Sequence, residues 1–183
     1  MIKGIAFIRF CRPAMLGAIL VGCAGRTLAP PSDLPPALRA PADQTLSLVL
    51  HGGGVQVYEC RAAADNAAHY SWVLRGPEAD LTNQAGETVG RHFAGPTWAA
   101  EDGSSVTAEV VAQDNSGGAD ALPWLLLRAS SNAGKGVFAK VRSIQRLHTI
   151  GGKAPANSCD ASQARKPIRV PYSADYYFYT ARR

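Results

Sequence analysis

The amino-acid sequence predicts an all-β fold, a single antiparallel β-sandwich or barrel-like domain with little helix. Short segments in which apolar and polar residues alternate recur about every 8 to 14 residues along the chain. Turn sequences rich in glycine separate these segments. No stretch of about twelve residues repeats its apolar positions at the helical period. These three observations are typical of a domain built from hairpins.

The predicted strands begin near residue 44. The first two are LSLVL (46–50) and VQVYEC (55–60), and the glycines at 52–54 between them are expected to form a turn or a bulge. Asp102-Gly103 is a dipeptide favoured in hairpin turns, so a strand is expected on each side of it. The remaining strands are expected within YSWVL, ETVGRHFAG, SVTAEVVAQ, LPWLLLRA, GVFAKVRSIQRLHTI and the aromatic VPYSADYYFYT.

The first 22 residues have the features of a bacterial lipoprotein signal peptide. Lys3, Arg9 and Arg12 accompany the apolar run AMLGAILVG. As a helix this run would be about 14 Å long, too short for a bilayer core of about 30 Å. It ends in LVGC, which resembles the lipobox, in which a cysteine is diacylated and becomes the first residue. We therefore expect a lipid on Cys23, the alternative being an ordinary secretory signal cleaved nearby, for instance after Ala24.

A lipoprotein signal predicts a location outside the cytoplasm, with the lipid anchoring the protein to the cell envelope. Ala24 follows the cysteine, where an aspartate usually retains lipoproteins in the inner membrane. The lipobox resemblance therefore favours the outer membrane where the cell has one. If the lipobox is not used, the protein is expected to be secreted.

Residues 23–43 are expected to form a Pro-rich tether between the lipid and the domain. Five of the twelve prolines lie between residues 24 and 43. Prolines at this density favour an extended polyproline II conformation. Residues 44–183 are then predicted to form one β domain, which is long enough to enclose a core.

The charge of the mature chain is small. Removing Lys3, Arg9 and Arg12 with the signal leaves sixteen of the nineteen Lys and Arg against fourteen Asp and Glu, a net charge of about +2. No basic run with interleaved aromatic residues remains. The sequence therefore gives no support for nucleic-acid binding.

The four cysteines have different predicted fates. Cys11 leaves with the signal and Cys23 takes the lipid, so Cys60 and Cys159 remain as a pair. In an oxidising compartment such a pair is expected to form a disulfide, the alternative being two buried thiols.

Two familiar catalytic or metal patterns are incomplete. The HGGG sequence at His51 is similar to an oxyanion-hole motif of esterases, but the chain has no G-x-S-x-G nucleophile elbow. The four histidines show neither H-x-H nor H-E-x-x-H spacing, and the chain has no C-x-x-C. P-loop and dinucleotide fingerprints are also missing from the sequence. We therefore predict no metal and no cofactor.

The segment RHFAGPTWAAEDGSSV (91–106) allows two interpretations. In the structural one, Trp98 packs in the core and Asp102 belongs to a hairpin turn, as is common in β proteins. In the functional one, His92 is a general base that Asp102 or Glu101 orients, as a small hydrolase would require. The two side chains would meet only if the strand register allowed it.

Aromatic and polar residues elsewhere suggest a binding cleft. Trp72, Trp98, Trp124 and the run Tyr176-Tyr177-Phe178-Tyr179 could wall an apolar or sugar-binding cleft, with Gln145 and Arg146 as polar anchors. The alternative for each aromatic side chain is core packing.

Six long motifs of the chain are PPALRAPADQ (35–44), GVQVYEC (54–60), GRHFAGPTWAAEDGSSV (90–106), LPWLLLRA (122–129), IQRLHTIGGKAP (144–155) and VPYSADYYFY (170–179). These motifs resemble those of a family of bacterial and fungal secreted proteins known as domain of unknown function thirty-four fifty-five. Two differences are Phe93, where a tyrosine is expected, and His148, where an asparagine is expected. The resemblance implies an extracytoplasmic protein and assigns no catalytic residues.

Together these observations predict a lipid-anchored binding or envelope-associated module of unknown activity, with a small molecule or a saccharide as its expected ligand. The alternatives are the small hydrolase and a purely structural envelope protein. A cleft in which His92, Asp102, Gln145 and Arg146 converge would favour binding or catalysis.

Overall fold

The computed structural model describes residues 28–183, and within them eight antiparallel strands form a closed barrel. Each strand pairs with the next along the chain, and the last pairs with the first. The strands are β1 (Gln44–Ala62), β2 (Tyr70–Thr82), β3 (Thr88–Phe93), β4 (Thr97–Ala100), β5 (Ser105–Asp114), β6 (Trp124–Ala133), β7 (Val141–Gly151) and β8 (Pro167–Ala181). The predicted all-β fold is confirmed, in its barrel form. Short 3₁₀ turns lie at Pro36–Leu38 and Ala161–Gln163.

The glycine triplet does not separate two strands as the sequence had suggested. β1 is continuous through residues 52–54, and its register shift against β2 lies between Val57 and Tyr58. A Cβ on Gly52 would lie 2.5 Å from Cε2 of Tyr176. Glycine is therefore needed here because an aromatic ring from β8 packs directly against the backbone of β1.

One end of the barrel is closed by the loop between β6 and β7. This loop carries Phe138, which is fully buried and packs against Phe178 with ring centroids 4.8 Å apart. The backbone of Phe138 is held from both sides, since its N–H donates to Oγ of Ser104 and its carbonyl accepts from Nδ2 of Asn132. Phe138 and Phe178 therefore occupy this half of the barrel interior.

Part of the predicted Pro-rich tether packs against the barrel. Leu34 and Leu38 are buried against Leu126 and Leu147, which face outward from β6 and β7. The carbonyl of Leu38 also accepts a hydrogen bond from Nε2 of Gln145, at 2.6 Å. Leu38 lies in the short 3₁₀ turn and Leu34 just before it, and both are buried against the barrel, so apolar burial here outweighs the extended preference of the prolines.

The predicted disulfide between Cys60 and Cys159 is confirmed. The sulfur atoms are bonded and the two Cα atoms lie 6.0 Å apart. Cys60 belongs to β1, whereas Cys159 lies in the long loop between β7 and β8. The bond therefore fastens this loop to the end of the barrel opposite Phe138.

The predicted signal peptide and Cys23 lie outside the described residues. Within residues 28–183, no helix has the length and apolar character needed to cross a membrane.

Candidate ligand-binding site

A cavity of about 430 Å³ opens at the barrel end opposite Phe138. It lies among the turn between β3 and β4, the loop between β5 and β6, and the inner faces of the neighbouring strands. Most lining residues are apolar, and the polar ones are few. They are Gln56, Leu74, Arg75, Gly76, Pro77, His92, Ala94, Gly95, Pro96, Trp98, Val110, Gln113, Leu122, Pro123, Leu125, Leu127 and Arg146.

Strand alternation decides which side chains reach this cavity. On β6, Leu125 and Leu127 belong to the interior cluster while Leu126 faces outward. On β7, Arg146 is paired in register with Tyr176 of β8, whose ring is fully buried in the same interior. Arg146 therefore points inward, and its neighbour Gln145 points outward.

His92 is a buried, uncharged side chain at the cavity wall. It is 3% exposed and its ring stacks on Trp98, with centroids 4.2 Å apart. Its Nδ1 donates to the carbonyl of Thr97 at 2.8 Å, so the proton of the neutral ring is on Nδ1. Burial lowers the pKa of His92 to about 4. Near neutral pH the ring is thus a hydrogen-bonded part of the wall and carries no charge.

Asp102 lies in the turn between β4 and β5, near the closed end of the barrel, and the structure does not bring it to His92. Its Oδ1 accepts hydrogen bonds from the hydroxyl and the N–H of Ser104, and its Oδ2 accepts from the N–H of Val137. These hydrogen bonds lower the pKa of Asp102, and the hydrogen bond from the Ser104 hydroxyl contributes most. The carboxylate stabilises the turn, so the pair that the hydrolase hypothesis requires is not formed.

Arg146 is the charged group of the cavity. Its Nη2 donates to the carbonyl of Pro123 at 2.9 Å, while its Nε is buried and has no hydrogen-bond partner among residues 28–183. Within the same residues no carboxylate oxygen lies within 4.0 Å of the guanidinium. Burial lowers the pKa of Arg146, but a guanidinium stays protonated in proteins. The cavity therefore contains a largely buried cation.

Trp98 and Arg146 reach the cavity, whereas Gln145 and Trp124 do not. Gln145 lies on the outer face of β7, where it bonds Leu38 and accepts from the Tyr179 hydroxyl at 2.7 Å. The ring of Trp124 lies outside the barrel, 5.4 Å from that of His148. Trp98 lines the cavity, and its buried Nε1 has no partner within residues 28–183.

Gln56 is a cavity residue that the sequence interpretation did not single out. It is 2% exposed and shares the buried face of β1 with Tyr58 and Cys60. The available signal was its alternation with Val55 and Val57, because a face that carries a disulfide cysteine is expected to be buried.

A second polar group lies on the outer surface of the barrel. Asp175 accepts at 3.0 Å from Nδ1 of His51 and at 2.9 Å from Nδ1 of His148. His148 has φ of 50°, in the left-handed region that asparagine adopts readily. This backbone geometry is a physical reason for the asparagine expected there from the family resemblance. In the part of the chain that the structure describes, no three His, Cys, Asp or Glu side chains are placed to hold a metal ion.

The family of the chain is identified by comparison with known proteins. No curated protein and no solved structure matches the chain significantly. A family model described as "Protein of unknown function (DUF3455)" matches residues 41–180, which include all the barrel strands except the last residue of β8. The chain therefore belongs to this family, DUF3455.

Proposed function

We propose that this protein is a lipid-anchored binding protein of the cell envelope, which holds a small, largely apolar molecule in the open end of its barrel. The observation that carries the proposal is the cavity of about 430 Å³. Its size is within the range of about 300 to 1,000 Å³ typical of ligand pockets, and its apolar wall with few polar groups is typical of them as well. Eight-stranded antiparallel barrels are wide enough to hold one small ligand.

The cavity wall is suited to an apolar molecule more than to a saccharide. Leu125, Leu127 and Trp98 are buried interior side chains that line it. The outward position of Trp124 and Gln145 removes two of the groups expected for a sugar-binding cleft. A ligand here would bury apolar surface, worth about 25 cal/mol per Å² before the costs of binding.

Binding can be tested with a neutral apolar fluorophore, N-phenyl-1-naphthylamine. All proteins carry Cys23→Ser, so that no acyl chain at this position takes up the dye. We expect saturable binding, and we expect Val110→Trp to weaken it about tenfold, because Val110 lines the cavity and a larger side chain there occupies it. The measurement is a fluorescence titration.

Val111→Trp is the matched control. Val111 is the next residue of β5 and is as exposed as Val110, 49% against 51%, but it does not line the cavity. Its substitution should leave the affinity unchanged. Absence of saturable binding to the parent, or equal affinity in the two tryptophan variants, would refute the proposed binding site.

The lipid anchor is tested separately. Because LVGC follows a short apolar run, we expect labelled palmitate to be incorporated into the wild-type chain and not into Cys23→Ser. The substitution should also release the protein from the membrane fraction, since acyl chains supply the anchor. Equal labelling of both proteins would exclude lipidation at Cys23.

A further inference from the structure

We infer that the ligand of this cavity is a monoanionic amphiphile, whose single oxyanion head group, a carboxylate or sulfonate, binds Arg146 while its apolar body lies against the leucine and tryptophan wall. The inference rests on the proposed binding function and specifies the chemistry of its ligand. The supporting observations are the position of the Arg146 side chain and the hydrogen-bond donors that it does not use.

Arg146 has more hydrogen-bonding capacity than the protein uses. A guanidinium offers five N–H donors, and the hydrogen bond to Pro123 uses one of them. A buried charge without a counter-ion destabilises the folded state strongly. An arginine is also the side chain best suited to bind an oxyanion through two parallel hydrogen bonds. Its place at the wall of an open cavity lets a ligand supply the missing acceptors.

The polar groups around Arg146 do not neutralise it. Tyr172 and Tyr176 on β8, which interact electrostatically with Arg146, hydrogen-bond each other at 3.3 Å and carry no charge near neutral pH. Burial raises the pKa of both tyrosines. His92 is neutral near neutral pH, because burial lowers its pKa to about 4.

The cavity offers one positive charge to a ligand. Arg75 is also at its rim, but Nη1 of Arg75 is already 2.8 Å from Oε2 of Glu59. A molecule with several negative charges would therefore lack partners. A cationic molecule would be repelled by Arg146, and a neutral one would leave its donors unpaired. One negative charge is the best complement.

The apolar body of the ligand is inferred from the rest of the wall. Leu122, Leu125 and Leu127 line the cavity, together with Trp98 and Pro96. These side chains cannot hydrogen-bond the remainder of a polar ligand, apart from Nε1 of Trp98. An acidic head on a hydrocarbon or aromatic body matches both parts of the cavity.

Two dyes that differ only in the charged group test the inference. They are 1-anilinonaphthalene-8-sulfonate, a monoanion, and N-phenyl-1-naphthylamine, its neutral counterpart without the sulfonate. We expect the Cys23→Ser protein to bind the anionic dye at least about tenfold more tightly than the neutral dye, because hydrogen bonds to a charged group are strong. Decanoate should displace the anionic dye, and decanamide at equal concentration should displace it less.

Arg146→Met should remove the preference for the anion and leave the affinity for the neutral dye equal or higher. Without added dye, the melting temperature of Arg146→Met should be equal to or above that of the parent, because an unpaired buried charge is replaced by an apolar side chain of similar length. If Arg146 had a purely structural role, Arg146→Met would have a lower melting temperature, and its affinity for both dyes would be reduced equally. Arg142→Met, at an exposed position of the same strand, is the matched control and should change neither property.

The outcomes separate the two proposals. If neither dye binds the parent protein, the proposed binding function is wrong. If both dyes bind with equal affinity, and Arg146→Met does not change their ratio, the binding function stands and the monoanion inference is overturned. The monoanion inference would also be overturned if Arg146→Met were less stable than the parent and its affinity for both dyes were reduced equally.

Discussion

Replacing Cys60 or Cys159 by alanine should lower the free energy of unfolding by about 2 to 5 kcal/mol, one of the largest effects expected from a single substitution in this domain. The two residues are 99 positions apart. Closing a loop of this length restricts the unfolded chain by about 4.7 kcal/mol in the chain-entropy model. In the folded state the bond joins β1 to the loop before β8, where two backbone hydrogen bonds, Cys60 N–H to Lys166 O and Arg165 N–H to Cys60 O, also hold the chain.

The two single variants should be equally destabilised, and the double variant should be no less stable than either, because all three lack the same bond. Denaturant unfolding measures the difference. A reducing agent provides the matched control, since it should destabilise the wild-type protein and leave the double variant unchanged. Two reactive thiols from these positions in the unfolded, unreduced wild-type protein would refute the disulfide, and variants as stable as wild type would refute its predicted contribution.

Acidification from pH 6.5 to about 4 should lower the free energy of unfolding by about 3 kcal/mol through His92 alone. In the folded protein, burial holds the pKa of His92 at about 4, whereas the ordinary value of 6.5 applies to the unfolded chain. Between these values the unfolded state binds the proton and the folded state does not. The contribution of neutral His92 is therefore fully present above pH 6.5, is lost as the pH falls through this window, and does not change further below about pH 4.

His92→Asn isolates this effect. Asparagine retains an N–H donor that can reach the carbonyl of Thr97, but it does not titrate. The variant should be less stable near neutral pH, because the stack with Trp98 is lost, and its stability should change much less between pH 6.5 and 4. His69→Asn, at an exposed position, should keep the wild-type pH profile. The free energy of unfolding of His92→Asn is measured by denaturant unfolding at several pH values. If it fell with pH as steeply as that of the wild type, the assignment of this pH window to His92 would be wrong.

Acidic groups should not obscure the histidine window. Hydrogen bonds lower the pKa of Asp102 and Asp160, with the hydroxyls of Ser104 and Ser162 contributing most. The pKa of Glu59 is lowered mainly by its hydrogen bond from Arg61. A carboxyl group with a lowered pKa stabilises the folded state above its unfolded pKa, and that contribution is lost as the pH falls toward the folded value. For these three groups the loss begins near the unfolded pKa values, 3.8 for the two aspartates and 4.5 for Glu59, at the acid end of the histidine window.

The strands and the disulfide could be predicted from local and compositional signals. Alternation at Val55, Gln56 and Val57 favours an extended strand and can be recognised in the local sequence alone. Asp102-Gly103 marked a real turn, in which Gly103 has φ of 81°. Cys60 and Cys159 remained as a pair once the other two cysteines were assigned to the N-terminal segment. Each of these inferences depends on chemistry within a few residues or on a count of cysteines.

The composition of the site could not be predicted in the same way. His92 and Asp102 are ten positions apart, yet Asp102 lies in a turn near the closed end and His92 faces the open cavity. Gln145 and Arg146 are adjacent, and they face opposite sides of the sheet. A strand pattern defines two faces but does not specify which face becomes the interior, because that depends on how the sheet closes.

The sequence by itself determined the all-β class, the pairing of Cys60 with Cys159 and membership of the family. These features follow from backbone preference, redox chemistry and long shared motifs. The tertiary structure alone decided the barrel, through pairing of β1 with β8, where Gln44 lies opposite Ala181. It also decided that Leu38 packs onto the barrel and that Arg146 faces an apolar cavity. The physical reason is that burial is a property of the closed sheet, set by contacts between residues far apart in the chain.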